Sequence, residues 1–157
     1  SDEEGWKRLQ AVSSYMLPMR NYGAPGQPPG GLQTMTYSYP MLLTYDWQDE
    51  NVVYQVTKAI DEGFNLYKDA YPAMPNWARD KAIVLGLPVA FHKGAVKYFK
   101  EIGVWNQNFE TWQKGKLARQ DKLEAAWSAT VSEAKKKGIK GTEFSAFWLK
   151  NRPEMEK

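Results

Sequence analysis

Between Pro18 and Met35 the chain carries Pro18, Pro25, Pro28 and Pro29 together with Gly23, Gly26, Gly30 and Gly31. Each proline locks φ and removes an N–H, and each glycine loosens the backbone, so the stretch resists helix and sheet alike. Residues 18–35 therefore read as one long loop. A loop of that length in a compact domain is functional or lies against something else. It also divides the chain. Residues 1–17 before it are weakly helical, with Ser1 or Asp2 as cap, Glu3 and Glu4 in the first turn, and Trp6, Leu9, Val12 and Met16 along one face.

After the loop, residues 36–45 have the alternation of a strand. Tyr37, Tyr39, Met41, Leu43 and Tyr45 share one parity and Thr36, Ser38, Leu42 and Thr44 the other, while Pro40 confines the segment to an edge or splits it. A lone strand needs a partner, and the candidates are 82–91, the N-terminal loop or another chain. Helices follow. Asp46 or Asp49 caps one over about 49–70, with Val52, Val53, Val56, Ala59, Ile60, Phe64 and Tyr67 at helical spacing, closed by Pro72 and Pro75. A short helical turn fits 76–81. The segment 82–91 is a buried strand or an extended linker, which periodicity does not separate. A helix over about 92–102 turns Ala95, Val96, Phe99 and Ile102 inward and stops at Gly103. The longest, about 107–136, carries Phe109, Trp112, Leu117, Leu123, Trp127, Thr130, Val131 and Ala134, with Gly115 as a local weakness. Gly138 and Gly141 break it, and Thr142 caps a last helix with Phe144, Phe147 and Trp148.

The fold class is thus α+β and mainly helical: a sheet of one or two strands packed by four to five helices. The length of 157 residues fits one domain, with 18–35 as loop, 36–105 as core and 107–157 as C-terminal helices. The longest uncharged apolar run, Ala82 to Phe91, is too short for a membrane span and contains Gly86 and Pro88. A net charge of +3 is far from the strongly basic balance of a nucleic-acid binder, and Lys135, Lys136 and Lys137 sit where a helix end favours cations. Seven Trp, nine Tyr and six Phe supply either a core or an interface. The chain begins at Ser1 without an initiator Met, so a removed leader or a longer parent chain is expected.

Little in the sequence points to catalysis. Without Cys there is no disulfide, thiolate metal site or thiol nucleophile. His92 is the only histidine, and no nucleophile elbow adjoins it. It stands where the 92–102 helix begins, as a structural group or a ligand contact. Asp46, Asp49 and Glu50 lack the spacing of a calcium loop and serve better as caps, and the glycines of 23–31 lack the closing Gly-Lys-Ser/Thr of a phosphate loop. No catalytic residue, metal or cofactor is expected. The tyrosines are more suggestive. On a strand, Tyr37, Tyr39 and Tyr45 point the same way, as a half-buried sheet face or as a wall of phenols for a small polar ligand.

Two stretches carry a family resemblance. One is Tyr37-Ser38-Tyr39-Pro40-Met41-Leu42-Leu43-Thr44-Tyr45 with Asp49, Val53-Tyr54 and Thr57-Lys58-Ala59 after it. The other runs from Pro88 through His92-Lys93-Gly94-Ala95 to Glu101-Ile102-Gly103-Val104-Trp105, with Trp77-Ala78 ahead of it. Together, over roughly residues 5–130, they resemble the C-terminal half of TAXI-family solute receptors of TRAP transporters. Ala90 departs from the proline often found there. The resemblance implies part of one lobe of a periplasmic binding protein, no enzyme, and a periplasmic location, soluble or peripherally attached. Tyr37, Tyr39, Thr44 and His92 would face a small carboxylate or amino acid, and TRAP membrane subunits would be the partners. Such receptors are longer, and their N-terminal half, which forms most of the sheet and the second lobe, is what this sequence would lack. A half-lobe exposes apolar surface, and a protein is its natural cover. The alternative expectation is an accessory subunit docked on a larger periplasmic or membrane complex through the Pro/Gly loop and the surplus Trp.

Overall fold

The computed structural model describes residues 2–13, 15–23, 25–37 and 41–153. They form an α+β structure, mainly helical, with one small antiparallel sheet. Two compact units emerge, one running to Trp105 and the other from Asn106 onward.

The first unit opens with α1 (Glu3–Val12), whose Asp2 cap accepts from Gly5 N at 2.8 Å. The Pro/Gly stretch then departs from the expected single loop. Its two ends pair as a hairpin, β1 (Leu17–Asn21) against β2 (Leu32–Thr36), with Leu17 opposite Thr36 and Asn21 opposite Leu32. Pro25, Pro28 and Pro29 all fall in the connection, where a turn from Pro28 O to Gly31 N (2.8 Å) closes it. Pro18 lies in β1, and every strand of a two-stranded sheet is an edge where a missing N–H is tolerated. Gly31 adopts φ +71°, and a side chain there would collide with Asn21 O and the Tyr22 ring.

The strand expected over 36–45 is not formed as such. Thr36 ends β2, residues 38–40 lie outside the described residues, and Met41–Tyr45 are in neither helix nor strand. No neighbouring strand among the described residues is there to pair with them. The 82–91 segment is likewise no strand: the Arg79–Ala82 helix runs into it and the rest is irregular.

Helix α2 (Glu50–Glu62) starts at Asp49, which accepts from Asn51 N at 2.9 Å and Val52 N at 3.0 Å. The expected helix over 49–70 is interrupted at Gly63, with α3 (Phe64–Tyr67) beyond it. There Gly63 N bonds Ala59 O, and the Tyr67 hydroxyl donates to Ile60 O at 2.9 Å. A 3-10 turn (Met74–Trp77) and α4 (Arg79–Ala82) lead to α5 (Lys93–Glu101). Helices α2 and α5 pack together, and their contact is the core. Ala95, Tyr98 and Phe99 are buried, flanked by Val53, Tyr54, Ile83, Phe91, Ile102, Val104 and Trp105. Gly94 explains the closeness. A Cβ there would lie 2.8 Å from Tyr54 N and closer still to Glu50 O, both main-chain atoms. Val52 and Val56, expected inward, are exposed; Tyr54, Thr57 and Asp61 take the inner stripe instead.

The second unit is a helical hairpin of α6 (Gln107–Lys137) and α7 (Gly141–Asn151). Asn106 caps α6, which runs unbroken through Gly115 and ends at Gly138 in the left-handed region, φ 69°. Trp127 meets Phe144 and Trp148 edge-on at 5.3 and 5.0 Å. Thr142 is inside α7 rather than its cap, which is Lys140 without a side-chain bond.

Candidate functional site

Of the residues singled out in sequence, Thr44 lies near the entry to α2 and His92 at the start of α5. A turn from Tyr45 O to Gln48 N (3.2 Å) and an Asp46 carboxylate accepting from Trp47 N (2.9 Å) fold the chain just before Asp49. The turn stacks the Tyr45 and Trp47 rings at 5.2 Å, within 10° of parallel. Neither ring is covered: Tyr45 is 70% and Trp47 73% exposed.

His92 ties this turn to α5. Its Nδ1 accepts from Gly94 N at 3.1 Å, which caps the helix, and its Nε2 lies 3.2 Å from Asp46 O. An accepting Nδ1 must be unprotonated, so the proton resides on Nε2 and is donated to the Asp46 carbonyl. Both ring nitrogens of the neutral side chain are then engaged by main chain.

The other sequence candidates are placed differently. Tyr37 follows β2 and is 53% exposed, and Thr44 is exposed beside the Asp46 turn. Tyr39 lies outside the described residues. The shared direction expected of the tyrosines rested on a strand, and Tyr45 instead meets Trp47. What sequence reasoning missed is the exposure of Leu42 and Leu43, 65% and 63%. It also missed the role of the Asp46 carbonyl, for which no sequence signal exists.

Behind the site lies a polar seam between α2, α4 and α5. Asp61, nearly buried, accepts from Arg79 through Nε (3.0 Å) and Nη2 (2.5 Å) and from the Tyr98 hydroxyl at 2.6 Å. The Arg79 guanidinium, with help from Tyr98, holds the Asp61 carboxyl below the usual carboxylate range. Burial, and then the bond to Asp61, push the Tyr98 phenol up to about 12. Further along, the Tyr54 hydroxyl donates to Glu101 at 2.6 Å and lowers its pKa, with Lys58 at 3.5 Å adding to the effect. Lys58 and Lys97 stand over the Tyr54 ring at 5.8 and 5.2 Å. Each of these polar groups has a structural partner in the seam. Among the described residues no group of three His, Asp or Glu is arranged to hold a metal ion. Nor is any helix among them long and apolar enough to cross a membrane.

Comparison with known proteins returns one match. A model described as the NMT1-like family covers residues 10–103, which take in the hairpin, the Asp46 turn, α2 and α5. No curated protein and no solved structure matches the chain.

Proposed function

The chain belongs to the NMT1-like family, which indicates a periplasmic-binding-like domain, and on that premise we propose that it is a non-catalytic extracytoplasmic binding domain serving as an assembly subunit. The observation that carries this reading is the hairpin. Met35 and Leu32 are 58% and 47% exposed on a sheet of two strands among the described residues, and Tyr22, just past the end of β1, is 64% exposed. Apolar side chains beside unpaired strand edges are a template for another protein. The Pro/Gly connection, stiffened where the Arg20 guanidinium donates to Gly30 O, presents them at low conformational cost. A non-catalytic role also suits His92, whose two nitrogens hold main chain and leave no free base.

The test is size exclusion of an unfractionated extract from the source cell, with the chain followed by immunodetection. We expect elution within a large assembly, and release of the 18.0 kDa chain by the double variant Tyr22→Asp, Met35→Asp. A wild-type chain that elutes free removes this reading.

A second reading has the family match itself in its favour, since residues 10–103 contain every candidate ligand contact: Tyr37, Tyr39, Thr44 and His92. In it the chain is a TAXI-type receptor, or its ligand-contacting part, for a small carboxylate or amino acid delivered to TRAP membrane subunits. It requires saturable stabilisation by such a ligand, about 2.7 kcal/mol at a hundredfold excess over Kd. A broad screen of organic and amino acids without a melting shift would set it aside.

A further inference from the structure

We propose that the tip of the α6–α7 helical hairpin, residues 135–140, is a docking surface for the anionic headgroups of a lipid membrane. The contact lies on other elements than the β1–β2 hairpin and does not need the docking reading above.

Charge leads to it. Residues 1–105 hold ten Lys and Arg against eleven Asp and Glu, which leaves eleven against seven for 106–157, so the chain's excess of +3 lies wholly beyond Trp105. Within that stretch, Lys135, Lys136, Lys137 and Lys140 fall in six residues, and all four are exposed. A helix end attracts cations, but it does not account for all of these. Lys140 lies beyond α6, as the N-cap of α7, and makes no side-chain bond there. The carbonyls that end α6 are already satisfied by main chain: Gly138 N donates to Ala134 O and Lys135 O, and Ile139 N donates to Ala134 O at 3.0 Å. Lys137 is engaged, paired with Glu133 at 2.5 Å and standing over the Phe147 ring at 5.4 Å. The side chains of Lys135, Lys136 and Lys140 make no ion pair or hydrogen bond to a described residue. Four lysines against Glu133 and Glu143 leave residues 133–143 at +2.

The form of the patch favours lipid over an acidic protein. A protein interface is built on apolar anchors, often aromatic, with Arg where planar carboxylates are recognised. Residues 135–141 contain neither an aromatic residue nor Arg, and Ile139, their one apolar side chain, is partly covered. Lysine is a compact, hydrated charge on a flexible stem, which suits a plane of phosphates without fixed shape. With nothing apolar to insert, the contact stays at the headgroups and weakens as salt screens it.

Flotation of the purified full chain with vesicles tests it. At low salt the chain should rise with vesicles of equimolar phosphatidylcholine and phosphatidylglycerol and stay behind with phosphatidylcholine alone, and added salt should release it. Each of Lys135→Gln, Lys136→Gln and Lys140→Gln should weaken binding about fivefold, and the triple variant on the order of a hundredfold. Arginine at the same three positions should preserve binding, since charge alone is read. Lys7→Gln, Lys81→Gln and Lys93→Gln together remove as much charge from exposed positions of the first unit and should change binding by less than about twofold. A wild type left behind by the anionic vesicles at low salt overturns the proposal, whether or not the tip then cross-links to an acidic protein. Equal flotation with neutral vesicles overturns it as well. So does a triple glutamine variant that binds as the wild type does, an arginine variant that fails to bind, or a control triple that loses as much as the tip triple.

Discussion

Residues 50–62 and 93–101 cover one another, whereas residues 41–47, shortly before the first of them in the chain, leave most of their large side chains exposed. In the helix pair, Tyr98 is 1% exposed and every hydroxyl and carboxylate that turns inward has a partner. In the preceding segment, two leucines, a tyrosine and a tryptophan are each more than half exposed. Composition does not separate the two, since both are rich in aromatic and aliphatic residues. Partnership does. Gly94 lets α5 close on α2, and no described element stands in that relation to Met41–Trp47. The helix pair is thus self-sufficient, whereas the segment leaves its large side chains exposed.

The largest expected effect breaks the self-sufficient side. Gly94→Ala places a methyl group against Glu50 O and 2.8 Å from Tyr54 N, and main-chain atoms have no rotamer by which to yield. The helices must separate, at a cost of about 3 kcal/mol in urea unfolding. A loss below about 0.5 kcal/mol, the level of an ordinary surface change, would mean that α2 and α5 do not close as described.

Next in size is the seam. The Tyr98 phenol, at about 12 in the folded chain, keeps its proton where the unfolded chain, near 10, releases it. Its contribution is therefore full below about pH 10 and is lost as pH rises to about 12, by roughly 2 to 3 kcal/mol. Asp61 has the opposite sign. Its lowered pKa contributes stability above about pH 4 that is lost as pH falls through the depressed value. Tyr98→Phe should remove the Tyr98 part of the alkaline dependence and retain the acid dependence, because Arg79 still holds Asp61. Tyr54 and Tyr67 are also raised but are common to both proteins, so the wild-type-minus-variant difference isolates Tyr98. A flat difference across the alkaline range contradicts the seam.

What the sequence displayed was whatever depends on near neighbours: the Asp2 and Asp49 caps, the α5 start at His92, the α6 stop at Gly138, and Ala95 and Phe99 on the buried face of α5, though not Tyr98. What it hid depends on groups far apart along the chain. Asp61 carries no mark in the sequence pattern, because its partners lie 18 and 37 residues away. The helical spacing puts Val52, Val53, Val56, Ala59 and Ile60 in one apolar set on α2, and of these Val53 packs on the core while Val52 and Val56 are exposed. The hairpin was hidden for a related reason. Proline forbids a central strand but not an edge, and only the pairing shows that β1 is an edge. At the candidate site, His92 was legible as a helix start, but its second partner is a carbonyl 46 residues earlier.

That second partner makes His92 the joint between the two regions, and its variants give the smallest and sharpest prediction. His92→Ala removes the cap on Gly94 N and the tether to Asp46 O together, and should cost about 1 to 2 kcal/mol. His92→Asn is the informative comparison. Asparagine is a strong N-cap, so it restores the bond to Gly94 N, but its shorter amide does not span to Asp46. It should recover about half of the loss in urea unfolding. Amide exchange should then be faster at Trp47 and Gln48, which the tethered turn protects, and unchanged within α5. If alanine and asparagine are equally damaging, the tether outweighs the cap. If alanine matches the wild type in both stability and exchange, His92 does not join the exposed segment to the helix pair, and its imidazole is available for the ligand contact that the receptor reading assigns to it.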